Sequence, residues 1–378
     1  MQSNRWTLAL YTLGLISLAA LTRAEEQTSL LTALSATTIS GYVDTSAIWL
    51  FDTGNSLVGR SFDGPDKQDG FNLNVVKLQL EKPLDDSGWA AGYTVGLLFG
   101  PDANTLASAS SGEASSDFAV KNACVTLRAP VGNGLTFKAG VWDTLVGYEV
   151  LEAGNNPNYS RSFGYYIEPI IHTGLLASYP VANWLSLSAG VADRGDANSI
   201  NSRAGIESLK TYLGSFTLTA PESYGVLRGA TLTGGIVDSG VAGAKDWVNL
   251  YLGATLPTPV KGLGLGVAYD YRANALFDGS YENALAAYLN WQATGKLKVN
   301  GRVDYATGSR SAYGVPEDAN HPNVRLLGLT ATLDYSLWAN VISRAEIRWD
   351  HSLTGQGFLV DGTRENACSL ALNVIYKF

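Results

Sequence analysis

The feature that most limits what this chain can fold into is a period-two alternation that tucks charged residues between apolar ones. Along the last twelve residues, Cys368, Leu370, Leu372, Val374, Tyr376 and Phe378 share one parity, and Ala367, Ser369, Ala371, Asn373, Ile375 and Lys377 share the other. Successive side chains on a strand point to opposite faces, so this segment reads as a β-strand with one greasy side. Trp89, Ala91, Tyr93, Val95, Leu97 and Phe99 repeat the pattern. In two further segments the second face is ionic. Leu297, Val299, Gly301, Val303 and Tyr305 alternate with Lys298, Asn300, Arg302 and Asp304; Val341, Ser343, Ala345, Ile347 and Trp349 alternate with Arg344, Glu346, Arg348 and Asp350.

The same pattern predicts about sixteen strands, near residues 37–50, 71–82, 89–99, 118–129, 135–143, 163–179, 185–193, 208–219, 226–238, 247–256, 263–272, 282–294, 297–307, 324–336, 341–351 and 367–378. The second strand switches face between Val75 and Val76, as a bulge would make it do. Links of two kinds join the strands. Short ones carry Pro, Gly, Asn and Asp, as in 83–88, 130–134, 180–184, 257–262 and 295–296. Long polar ones span 52–70, 100–117, 144–162, 194–207, 308–323 and 352–366. The two kinds alternate, as expected of a meander with tight turns on one rim and long loops on the other.

Hydrocarbon offers no hydrogen-bond partners, so a sheet can cross it only when closed on itself. The expected fold class is therefore all-β: a transmembrane antiparallel up-and-down barrel of about sixteen strands, with short periplasmic turns, long outer loops and an inserted third outer loop. Aromatic residues toward strand ends on the apolar parity (Trp49, Trp89, Tyr93, Phe99, Trp291, Trp349, Tyr376, Phe378) suit the girdles at the headgroups. A soluble sandwich or propeller could alternate in the same way, with its charges outside. The N-terminus weighs against that. Arg5, an apolar stretch from Trp6 to Leu21 and Thr22-Arg23-Ala24 resemble a secretory signal peptide over residues 1–24. Residues 25–36 then form a periplasmic N-terminal segment, and 37–378 the barrel, with a constriction loop at about 143–162.

The net charge of −8 disfavours nucleic acid as a partner. Cys124 and Cys368 are too few for a disulfide scaffold and read as free thiols. His172, His321 and His351 show no ligand spacing, so neither a metal nor another cofactor is expected. Asp52-Thr53-Gly54 matches an aspartic-protease triplet but lacks a second copy, and the glycines of Gly262-Leu263-Gly264-Leu265-Gly266 precede no helix.

A barrel of about sixteen strands leaves an aqueous lumen. The expected pore-lining residues are Arg128, Lys138, Lys298, Arg302, Asp304, Arg344, Glu346, Arg348 and Asp350. The link from Asp143 to Ser162 differs from the other long loops in carrying Leu145, Val146, Val150 and Leu151, which favours packing over exposure. It is expected to fold into the lumen, with Tyr148, Glu149, Glu152 and Arg161 at the constriction.

The runs Lys138-Ala139-Gly140-Val141-Trp142-Asp143-Thr144-Leu145-Val146-Gly147-Tyr148-Glu149, Asn158-Tyr159-Ser160-Arg161-Ser162-Phe163 and Pro169-Ile170-Ile171-His172-Thr173-Gly174 resemble the OmpL-like β-barrel porin-2 family. That resemblance implies a porin of a Gram-negative-type outer membrane. Val374, Tyr376 and Phe378 likewise resemble the assembly signal of such proteins. The implied partners are outer-membrane lipid and lipopolysaccharide, the barrel-assembly machinery and small hydrophilic solutes; association with further copies stays open.

For selectivity, Glu149 and Glu152 are expected to face Arg302, Arg344 and Arg348 and set up a transverse field. The alternative is that the glutamates bond to the barrel and fix the loop. Two other functions compete with diffusion: a hydrolase mounted on one rim, and a structural or adhesive barrel closed by its loops.

Overall fold

The computed structural model describes residues 36–51, 57–85, 88–108, 116–193, 198–202, 209–355 and 364–378. The expected signal peptide, nearly all of the 25–36 segment and the Asp52-Thr53-Gly54 triplet lie outside them. Sixteen antiparallel strands close into one barrel. They are β1 (Thr38–Phe51), β2 (Gly70–Lys82), β3 (Ala90–Phe99), β4 (Phe118–Ala129), β5 (Leu135–Asp143), β6 (Ile171–Ala182), β7 (Leu185–Ala192) and β8 (Thr211–Thr219), then β9 (Thr231–Ser239), β10 (Trp247–Pro257), β11 (Leu263–Ala273), β12 (Tyr281–Gln292), β13 (Leu297–Ser309), β14 (Asn323–Tyr335), β15 (Val341–Ser352) and β16 (Asn366–Lys377).

The barrel closes between β1 and β16, in register from Tyr42 opposite Lys377 to Phe51 opposite Cys368. At the seam, Gly41 and Phe378 exchange both backbone hydrogen bonds, at 2.9 and 3.0 Å. The Phe378 ring lies where a side chain on residue 41 would begin, which accounts for the glycine there.

Alternation sorts the residues into two faces. Val303, Leu333, Ile347 and Leu372 point outward and are 43–51% exposed, whereas Arg302, Thr332, Glu346 and Asn373 on the opposite parity are at most 2% exposed. An apolar outer surface over a polar interior suits hydrocarbon and not water. Val374, Tyr376 and Phe378 lie on that outer surface, 44–50% exposed.

Three register irregularities kink the ladder. Asp44 pairs with Val75 and Thr45 with Leu73, so the extra residue is Asn74, adjoining the face switch expected at Val75 and Val76. A second skips Lys121 between Gly96–Asn122 and Leu97–Val120, and a third skips Val181. The first two turn neighbouring polar residues toward the interior: Asn74 and Lys121 are 1% and 3% exposed.

Two expected strand starts differ. Residues 163–167 form a short helix, α1 (Phe163–Ile167), and the strand begins only at Ile171. This stretch has no neighbouring strand, so its amides bond locally, and the Ser162 hydroxyl caps it by accepting from the Tyr165 N–H at 3.1 Å. Likewise β9 starts at Thr231, because 222–227 make a 3-10 segment followed by Gly229 at φ 76°. The link 220–230 is thus longer than the other turns on its rim. On the opposite rim, 240–246 and 274–280 are short.

Candidate functional site

The segment after β5, residues 144–170, leaves the rim and lies against the inward face of the strands. Its backbone supplies polar groups that have no sheet partner, and the wall answers them with charged side chains. Arg302 on β13 donates to the carbonyls of Ser160 (2.6 Å) and Arg161 (3.1 Å) and to the Ser160 hydroxyl (3.2 Å). Arg344 on β15 donates to the carbonyls of Ala153 (2.6 Å) and Asn156 (2.9 Å), and Arg348 to that of Arg161 (2.6 Å). In the other direction, the amides of Tyr159 and Ser160 donate to the two oxygens of Glu346, at 2.6 and 2.9 Å. A guanidinium presents several donors in a fixed fork, which fits it to hold successive carbonyls.

The glutamates of the segment are held by cations. Glu149 pairs with Arg302 at 3.0 Å and accepts from the Tyr288 hydroxyl (3.2 Å) and the Ser162 amide (2.7 Å). Glu152 pairs with Lys121 at 3.0 Å and with Lys77. Burial pushes the Glu152 carboxyl upward, but Lys121 and Lys77 overcome it and hold it at about 2. Glu149 and Arg302 therefore meet directly and do not stand across a gap. Arg344 and Arg348 are matched by Asp334 (2.6 Å) and Asp350 (2.8 Å), and Arg302 also by Asp304 (2.6 Å). Arg161 turns back on its own segment, donating to the carbonyls of Val150, Tyr159 and Leu151. The Tyr148 ring stacks on Tyr288 at 4.2 Å.

A second part of the inner wall is built differently. On β6–β10 the inward parity carries small and hydroxylated residues in the half nearer the short turns, and beyond them Leu213, Val237 and Tyr251, which pack against Val146 of the inserted segment. Ser178 and Ser188 share a hydrogen bond at 2.8 Å, Thr217 and Thr233 one at 3.2 Å, and Thr231 and Thr255 one at 2.5 Å. None of these side chains is buried. Between them and the inserted segment lies a cavity of about 410 Å³, lined among others by Tyr148, Asn155, Thr231, Thr233, Asn290 and Lys298.

The chain matches the family model described as "Putative beta-barrel porin-2, OmpL-like" over residues 36–378. It belongs to that family. It is a porin of the bacterial outer membrane. OmpF of Salmonella typhi, solved with daunomycin, is similar in fold at 14% identity, covering 90% of this chain and 97% of that one, with a TM-score of 0.59. The outer-membrane channel DcaP of Acinetobacter baumannii shows 11% identity, the same two coverages and a TM-score of 0.58. A trimer form of OmpT from Vibrio cholerae shows 14% identity, covers 90% and 99%, and has a TM-score of 0.56. Comparison with curated proteins gives no match.

Within this porin the nominated wall residues divide. Arg302, Asp304, Arg344, Glu346, Arg348 and Asp350 are at most 5% exposed under the inserted segment. Arg128, Lys138 and Lys298 remain accessible near the short-turn rim. Gly264 and Gly266 lie on the inward parity of β11, and the Tyr148 hydroxyl occupies the space over Gly266. His172 is buried and bonds Thr144 at 3.0 Å. The described residues include no cluster of three metal-ligating side chains, and Cys124 and Cys368 are free.

Sequence reasoning missed several fasteners. Asp44 accepts from Asn74 (2.9 Å) and Asn373 (2.6 Å), next to the Tyr159 hydroxyl, which donates to Ser46 at 3.2 Å. Lys121 reaches Glu152 only because the bulge turns it inward; two adjacent polar residues, Lys121 and Asn122, inside an alternating strand were the available signal. Arg60, from the first outer loop, bonds Asp350 at 2.7 Å and Asp63. Nothing in a loop's composition announces such a partner.

Proposed function

We propose that this porin passes small hydrophilic solutes through a lumen narrowed from within by residues 143–162 and their continuation to Pro169. The observation that carries this is the division of the inner wall. Guanidiniums and carboxylates of β13–β16 are used up in holding the segment and in pairing with one another, while the hydroxylated short-turn half of β6–β10 stays open to water. Tyr148, Glu149, Glu152 and Arg161 act as fasteners that set the shape of the constriction, so its width is fixed by structure and not by a mobile gate.

The outer face meets outer-membrane lipid and lipopolysaccharide, and the assembly machinery reads Val374, Tyr376 and Phe378 after residues 1–24 direct export. The channel performs no hydrolysis. Copies associate, a reading supported by the trimer form of one similar structure. Planar-bilayer recording of the refolded protein tests the passage and its assembly, since open conductance reports the width and stepwise closure the number of subunits. The expected result is a stable open current, accompanied by liposome swelling in sugars. A protein that folds but neither conducts nor admits sugar would be a loop-plugged structural barrel instead.

A further inference from the structure

Charge is distributed unevenly along the lumen in a way that the net charge of −8 hides. In the half nearer the long loops, inward arginines and lysines are paired with carboxylates and largely covered. In the half nearer the short turns, the inward positions carry Arg128 on β4, Lys138 on β5, Lys298 on β13 and Lys377 on β16. Arg128 donates to the Gly88 carbonyl at 3.1 Å, and Lys377 to the carbonyl of Gly154 at 3.1 Å. Among the described residues, neither Lys138 nor Lys298 is in an ion pair, and neither is buried. Two inward carboxylates share this half: Glu81 on β2, and Asp334 on β14, which the Arg344 guanidinium already engages at 2.6 Å. Among the described residues, four accessible cations thus stand against one inward carboxylate outside the fastened network. The rest of this surface, over β7–β10, contains no inward Asp, Glu, Lys, Arg or His; the one such residue on those strands, Asp238, has the outward parity of Ile236.

We infer that the short-turn half of the lumen selects hydroxyl-rich solutes carrying negative charge, such as sugar carboxylates. Two independent parts of the wall supply the two recognitions. Rows of serine and threonine on β6–β10 donate and accept hydrogen bonds and so replace the water around a polyol. Lys298 borders the cavity beside these rows, and Lys138 lies on the strand side beyond β6. An unpaired ammonium in a water-filled lumen raises the local concentration of anions and lowers that of cations.

This inference rests on the open passage proposed above and deepens it. Its test uses three hexose-sized probes that differ in charge: gluconate, glucose and protonated glucosamine. Proteoliposomes at low salt should admit gluconate fastest and glucosamine slowest. One lysine about 8 Å from a unit charge in water changes its local concentration about twofold in either direction, so the two charged probes should differ about fourfold. The Lys138→Gln/Lys298→Gln variant should collapse that difference while glucose entry and heat resistance stay unchanged. A Thr217→Val/Thr233→Val variant should slow glucose while leaving the potassium chloride reversal potential where it was. Glucosamine entering as fast as gluconate, or an undiminished ratio in the double-lysine variant, would overturn the charge assignment. Potassium chloride current without glucose entry would overturn the hydroxyl assignment. Absence of both current and swelling would instead sink the open passage itself, and this inference with it.

Discussion

Between β13 and β16 the inner wall carries Arg302, Arg344, Glu346, Arg348 and Asp350, all at most 5% exposed, whereas toward the short turns of β6–β10 it carries serines and threonines that water reaches. Both regions obey the same alternation and face the same lumen. The difference is in what covers them. An ionic wall presents strong, directional donors and acceptors, so a loop rich in unpaired backbone groups settles there. A hydroxyl wall offers weaker, adaptable bonds for which water competes well, so it stays wet. Charge on the inner face of a barrel can therefore mark the place where the channel is closed as readily as the place where it conducts.

The largest break in that comparison comes from Arg302→Ala. It leaves Glu149 and Asp304 buried without their cation, and removal of one partner from a buried pair costs about 3–5 kcal/mol. Heat resistance on gels should fall sharply, and single channels should become wider and noisier. Next is Glu152→Gln, which strands Lys77 and leaves Lys121 with Asp143 alone, and should cost about 1.5–3 kcal/mol, read as flickering current. Acid sharpens the same point. The Glu152 carboxyl lies lower in the fold than its ordinary value of 4.5, so its contribution is complete above that value and is lost as pH falls toward about 2. Currents should be steady at pH 5 and begin to flicker only below about pH 4. On the other wall, Thr233→Asp should move stability by no more than about 0.5 kcal/mol and yet pull the reversal potential toward cations. The smallest effect is expected from Thr217→Val, a slight loss of sugar flux with no change in melting. Equal stability losses from Arg302→Ala and Thr233→Asp would erase the distinction between the walls.

Much of the barrel is legible in the sequence. Val75 and Val76 flagged the neighbouring bulge at Asn74, and the apolar residues of 144–151 flagged the segment that leaves the rim. Phe163, Tyr165 and Ile167 misled, because their spacing mimics a strand while the segment has no strand beside it to complete a ladder. Glu149 and Arg302 were both picked out, but as groups facing each other across water and not as a 3.0 Å pair. Sequence spacing says which face of a strand a residue takes. It carries no information on which loop will come to lie against that face.

The sequence by itself determined the sheet, its two faces, the outward greasy surface and the chain's rim-to-rim rhythm, since these depend on the covalent period of the strand and on the chemistry of neighbours a few residues away. Only the tertiary structure decided which inward charges are sealed and which stay wet. Partners such as Arg302 with Ser160, or Glu346 with Tyr159, are set by barrel closure and loop insertion, which bring together groups 142 and 187 residues apart.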